Sequence, residues 1–104
     1  MLVLFTGFLK PHTEQQVLAL RDEFNEHLAQ PFPWIALGGV LRDQDGHKIG
    51  YAAVIEAEDL TAVTTYLQRS PFHQNALYEV ERVAEINVEI GSLELSTNNP
   101  RAAP

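Results

Sequence analysis

The sequence predicts an α+β domain of the ferredoxin-like βαββαβ kind, with a four-stranded antiparallel sheet. Three patterns carry this expectation. Leu2 to Leu9 is apolar on both alternating sets, two later stretches repeat apolar residues at helical spacing, and two strand-like runs flank Asp45-Gly46.

In chain order, Leu2–Leu9 reads as a central strand covered on both faces, interrupted by Pro11. Thr13-Glu14-Gln15-Gln16 fits a capping box, in which the Thr13 hydroxyl meets the Gln16 amide. The helix beginning there places Val17, Leu20, Phe24, His27 and Leu28 on one face, and Gln30-Pro31-Phe32-Pro33 ends it. Trp34 to Leu41 forms the second strand, Asp45-Gly46 turns the chain, and Lys48 to Ala57 returns antiparallel to it. Asp59 caps a second helix whose apolar face is Leu60, Val63, Thr64 and Leu67. Ser70 before Pro71 starts a further short helical turn. Alternation then resumes from Val80 to Ile90, with Val80, Ala84, Ile86, Val88 and Ile90 on one face, interrupted by Arg82, and Glu81, Glu85, Asn87 and Glu89 with Val83 on the other, wet face. Right-handed crossovers put both helices on one side of the sheet. The opposite side is left bare, and we expect a homodimer in which two such faces meet. The domain is expected to span 1–93, with a flexible C-terminal tail over 94–104.

Composition narrows the function classes. With 104 residues, 45% of them apolar, there is room for one core and material to build it. Fourteen acidic residues against seven basic ones give a net charge of −7, and the basic residues are scattered, so neither nucleic acid nor an anionic membrane is an expected partner. There is no cysteine, hence no disulfide or thiolate chemistry. The start lacks the basic region of a signal peptide, which makes the cytoplasm the expected location. No phosphate loop, nucleophile elbow or diagnostic carboxylate pair occurs, and no cofactor is expected.

Of four histidines, His12 and His47 fall in turns, and no pair has the helical spacing that converges two imidazoles on a metal. His27 differs because it lies on the sheet-facing side of its helix. It is either a satisfied half-buried histidine or a general acid–base group lining a helix–sheet cleft, for which its ordinary pKa is suited. Gly38-Gly39 within a strand marks either a bulge or the wall of a ligand site. Ser70 is a helix cap by position, while Trp34, Phe72 and Tyr78 are core residues or a pocket lining.

From Leu2 to about Ile90 the chain resembles the YCII-related domains. The resemblance is carried by His27-Leu28, Gly38-Gly39-Val40-Leu41, Gly50, Ile55-Glu56-Ala57-Glu58-Asp59 and Ser70-Pro71-Phe72. It implies a dimeric α/β barrel, a small organic molecule as ligand, and a polar pair formed by a helical histidine, here His27, with an aspartate before the proline. Ser70 stands at that second position, and Phe24 stands where such domains carry an arginine. The resemblance includes a dehalogenating, muconolactone-type enzyme, and so implies cofactor-independent lyase or isomerase chemistry with His27 and Ser70 as catalytic residues. Gly38, Gly39, Trp34 and Phe72 would bind the ligand. A non-catalytic metabolite-binding or protein-interaction module is the alternative, and a haem-degrading or quinol-oxidising monooxygenase follows from fold analogy alone.

Overall fold

The protein is described here by a computed structural model covering residues 1–31 and 33–91, so the tail expected over 94–104 lies outside the described residues. Strands β1 (Leu2–Leu9), β2 (Trp34–Arg42), β3 (Lys48–Glu56) and β4 (Tyr78–Ile86) form one antiparallel sheet in the order β2-β3-β1-β4. Helices α1 (Glu14–Ala19) and α2 (Arg21–Leu28) join β1 to β2, and α3 (Leu60–Gln68) and α4 (Pro71–Gln74) join β3 to β4. This is the ferredoxin-like α+β arrangement. No helix among the described residues is long and apolar enough to cross a membrane.

Register divides the sheet into two unlike faces. Val3 pairs with Ile55, Phe5 with Ala53 and Val83, and these point toward the helices, where Val3, Phe5, Ile55, Val63, Phe72 and Leu77 form the core. Leu4 pairs with Val54 and Ala84, and Leu2 with Ile86, on the opposite face, which no described element covers. Leu4, Phe8, Trp34, Leu37 and Ile86 are exposed there, with Leu37 at 55%. The two-sided apolarity of β1 is thus half satisfied within one chain.

Several local expectations are corrected. The Thr13 capping box is absent: the Thr13 backbone is not extended (φ −107°, ψ 6°), and its hydroxyl donates instead to the Lys10 carbonyl at 2.8 Å. The first helix breaks at Leu20 into two short segments, although the Phe24 amide still donates to the Leu20 carbonyl. Its buried line is Val17, Leu20, Phe24 and His27, while Leu28 emerges into solvent. On α3 the buried residues are Val63 and Tyr66, and Leu60 and Thr64 are exposed. Strand β4 stops at Ile86, leaving Val88 and Ile90 beyond it and exposed.

Other devices form as the residues dictate. Asp59 accepts from the Ala62 amide at 2.8 Å, and Ser70 Oγ accepts from the Phe72 amide with Pro71 in the first turn. In the β2–β3 hairpin, Asp43 Oδ1 accepts from the amides of Asp45 and His47, and Gly46 adopts a positive φ of 85° that side chains disfavour.

Candidate functional site

A cleft of about 1440 Å³ lies between α1–α2 and the helix-facing side of the sheet. Part of its wall is an aromatic cluster. Phe24 stacks on Phe72 at 4.0 Å between ring centroids and 9° between planes, and Tyr51 leans on both, at 5.2 and 5.4 Å. Where the resemblance places an arginine, Phe24 therefore makes this wall apolar.

His27 lines one end of the cleft and is only 6% exposed. Its ring stacks on Tyr66 at 4.2 Å and 17°, and the Tyr66 hydroxyl donates to the His27 carbonyl at 3.1 Å, tying α3 to α2. The helix period brings His27 inward, as expected, but the satisfied-histidine reading fails for one atom: Nε2 is buried with no hydrogen-bond partner. Burial pushes the His27 pKa below its ordinary value, the Arg69 charge adds to that, and the Tyr66 main chain opposes it. The ring is therefore neutral at neutral pH and able to accept a proton.

Ser70 is buried and lines the same cleft, but no hydrogen bond joins it to His27. Its Oγ accepts from the Phe72 amide at 3.3 Å, the capping role its position predicts.

The irregularities in β2 fall between Ile35 and Leu37, leaving Ala36 unpaired, and between Leu41 and Arg42, not at Gly38-Gly39. A Cβ on Gly39 would meet nothing within 4 Å, and one on Gly38 would touch Ile35 at an ordinary 3.4 Å. The fold does not require these two glycines; Gly38, paired with Ala53, faces the cleft, while Gly39, paired with Ala52, belongs to the opposite row of the sheet. Phe72 is fully buried in the core and lines the cleft as well; Trp34 lines its rim and is 62% exposed.

A second polar group was not foreseen. Tyr51 pairs across β3–β1 with Gly7, and Gly7 across β1–β4 with Glu81, so Tyr51 and Glu81 share one row of the cleft floor. The Tyr78 ring covers Gly7: a Cβ there would lie 2.6 Å from Tyr78 Cε1. Glu81 Oε2 lies 2.8 Å from His73 Nδ1, and Lys48 Nζ donates to the Tyr51 hydroxyl at 3.2 Å. Burial foremost, then Tyr51 and Glu81, pushes the Tyr78 pKa far above its ordinary value, and burial raises that of Tyr66. Glu81 reads as a solvent-facing strand charge until the register is known. Tyr66 was missed because Leu60 and Thr64 offered an equally regular face.

Asp43, Asp45 and His47 bring their ligating atoms within 4.8 Å of one another, but all three side chains are exposed and Asp43 already organises the hairpin. The His47 amide, foremost, holds the Asp43 carboxyl below its usual range.

No protein-family model and no curated protein matches the chain. Among solved structures it is similar to 5-chloro-2-hydroxyhydroquinone dehydrochlorinase (TftG) from Burkholderia phenoliruptrix in complex with 2,5-dihydroxybenzoquinone, with a TM-score of 0.75, 20% identity, and coverage of 84% of this chain and 94% of that one. It is also similar to an antibiotic biosynthesis monooxygenase (TM-score 0.54, 19% identity, 86% of this chain and 100% of that one). A third similar structure is an uncharacterised NIPSNAP domain protein from Burkholderia xenovorans (TM-score 0.50, 12% identity, 88% and 99%). At these identities the likeness establishes the fold.

Proposed function

We propose that this protein binds a small organic molecule in the helix–sheet cleft and acts on it without a cofactor, His27 serving as the proton-transfer group of a lyase or isomerase-type reaction. The observation that carries this reading is the buried His27 Nε2 with no partner. A polar atom left unpaired in the interior costs stability, and such costs concentrate where function needs them. The lowered pKa keeps the imidazole neutral, the form in which it takes a proton. Because Nε2 presents no surface in the free protein, a ligand reaches it through a small shift of the α2–α3 packing, of the kind side-chain rotamer changes supply.

The resemblance to YCII-related domains and the similarity to a dehydrochlorinase bound to a dihydroxybenzoquinone point to the same class of ligand, a planar or cyclic compound bearing oxygens. The bare sheet face, with Leu4, Phe8, Leu37 and Ile86, supports a homodimer formed by two such faces. A second reading, a metabolite-binding module that performs no reaction, is favoured by one observation: Ser70 is committed to its cap and supplies His27 with no acid partner.

A thermal-shift screen of small organic acids, lactones and hydroxylated quinones, run on the wild type and on His27→Ala in parallel, tests both. A ligand that stabilises the wild type alone and is turned over by it supports proton transfer. A ligand bound unchanged, with affinity indifferent to pH between about 5 and 8, supports the binding module and removes the enzymatic reading.

A further inference from the structure

The cleft has a second polar end that the His27 reading does not use. Tyr51 and Tyr78 both line it and both pack against Phe72, at 5.4 and 6.2 Å between ring centroids. They converge around Gly7, where Tyr51 is the cross-strand neighbour and the Tyr78 ring fills the space a side chain would take. Lys48 donates to the Tyr51 oxygen, so the Tyr51 hydroxyl keeps its own proton to give, beside a positive charge. No hydrogen bond among the described residues engages the Tyr78 hydroxyl, and Nε2 of His27 is the one sealed, unpartnered side-chain atom among them, which leaves the phenol open to the cleft. Phe24, one helical turn before His27 on the same helix, lies 5.2 Å from Tyr51 between ring centroids and so joins the α2 side of the cleft to the phenols.

We propose that the Tyr51 and Tyr78 hydroxyls form an oxygen-binding end of the cleft, donating to a carbonyl or phenolate oxygen of a planar ring substrate whose carbon-bound proton faces His27. This rests on the His27 reading for its chemistry and extends it to a substrate class. In the step it serves, a C–H bond beside the carbonyl breaks, the proton passes to the His27 ring nitrogen, and the electron pair moves onto the oxygen held by the two phenols. Return of the proton to another ring position completes an isomerisation. Departure of a leaving group with its electron pair completes an elimination. Donors aimed at the oxygen that gains charge stabilise that state more than the ground state. The elevated Tyr78 pKa keeps this phenol protonated as such an anion forms. The net charge of −7 and Glu81, itself held by His73, disfavour free inorganic anions and favour an oxygen whose charge is spread over a ring.

The test uses 4-nitrophenolate as an oxyanion probe, and 4-nitrotoluene as its neutral counterpart, titrated against the full chain and against Tyr51→Phe and Tyr78→Phe. Each tyrosine variant is expected to weaken 4-nitrophenolate by about 10- to 100-fold, with 4-nitrotoluene changed by less than about twofold. Unchanged 4-nitrophenolate affinity in both tyrosine variants would overturn the oxygen site while leaving the His27 reading in place. Equal losses of both probes would overturn it too, since they report cleft shape and not an oxygen contact, and so would a wild type that binds neither probe. The converse result, tyrosine-dependent probe binding with no ligand discriminating His27→Ala in the thermal screen, would sink the His27 reading alone.

Discussion

Replacing His27 with phenylalanine should stabilise the protein while abolishing any proton transfer. The wild type holds Nε2 in the interior with no partner, a penalty of about 1–3 kcal/mol. Phenylalanine retains a ring to stack on Tyr66, an arrangement now at 4.2 Å and 17°. The substitution forfeits the favourable contact of the imidazole with the Tyr66 main chain, worth roughly 1 kcal/mol. The balance is a gain of about 1 kcal/mol, or a Tm higher by about 4–8 °C in a domain of this size. The gain should also depend on pH. The folded pKa of His27 lies below its ordinary 6.5, so the unfolded chain binds a proton that the folded protein resists. The wild type therefore keeps its full stability above pH 6.5 and loses it as the pH falls toward the folded pKa. Through that window the advantage of His27→Phe should widen by about 1.4 kcal/mol per pH unit. Urea denaturation of both proteins at a pH above 7 and at a pH near 5.5 measures it. A variant less stable than the wild type at both pH values, or an advantage that fails to widen on acidification, would show that Nε2 is satisfied and would remove the argument for His27 as the reactive group.

Three further outcomes follow from particular residues. Gly50→Ala should cost about 3 kcal/mol or prevent folding, because its Cβ would be driven into the backbone carbonyl of Gly7, whereas Gly39→Ala, whose Cβ meets nothing within 4 Å, should raise stability by about 0.5–1 kcal/mol; paired thermal melts decide both. The double substitution Leu4→Glu with Phe8→Glu, on the bare face of β1, should convert the proposed dimer to monomers in sedimentation, and an unchanged mass would reject the sheet-face interface. Ser70→Ala should lower stability by about 1 kcal/mol through loss of the cap to Phe72, with ligand affinity kept. A loss of affinity larger than the loss of stability would return Ser70 to the binding site.

The strand and helix order was legible because apolar periodicity and turn chemistry agree at almost every boundary: Asp59, Ser70-Pro71 and Asp45-Gly46 each form what their residue types dictate. What was not legible depended on register or on a choice among equivalent faces. Leu20 fits the helical period, and nothing about it announces the break between α1 and α2. Glu81, Val83 and Glu85 alternate with Val80, Ala84 and Ile86, and polarity alone assigns the charged set to water. The pairing of Gly7 with Glu81 turns that set toward the cleft and leaves the apolar set on the bare face. Position along a helix was enough to bring His27 inward, but the missing partner of its Nε2 and the capping commitment of Ser70 required three dimensions.

The glycines separate what the fold demands from what the cleft uses. Gly50 and Gly7 are constrained by neighbours, one by backbone and the other by the rings of Tyr78 and Phe5. Gly38 and Gly39 are constrained by neither, although glycine inside a strand costs roughly 0.5–1 kcal/mol relative to alanine. Folding alone would favour side chains at both positions, just as it would favour a partner for Nε2 of His27. Gly38 and His27 lie on the helix-facing side together with Tyr51 and Glu81, whereas Gly39, paired with Ala52, lies in the row of the bare face. The cost borne at Nε2 of His27, in a domain whose other local choices agree with its fold, is what the proposed ligand site would require.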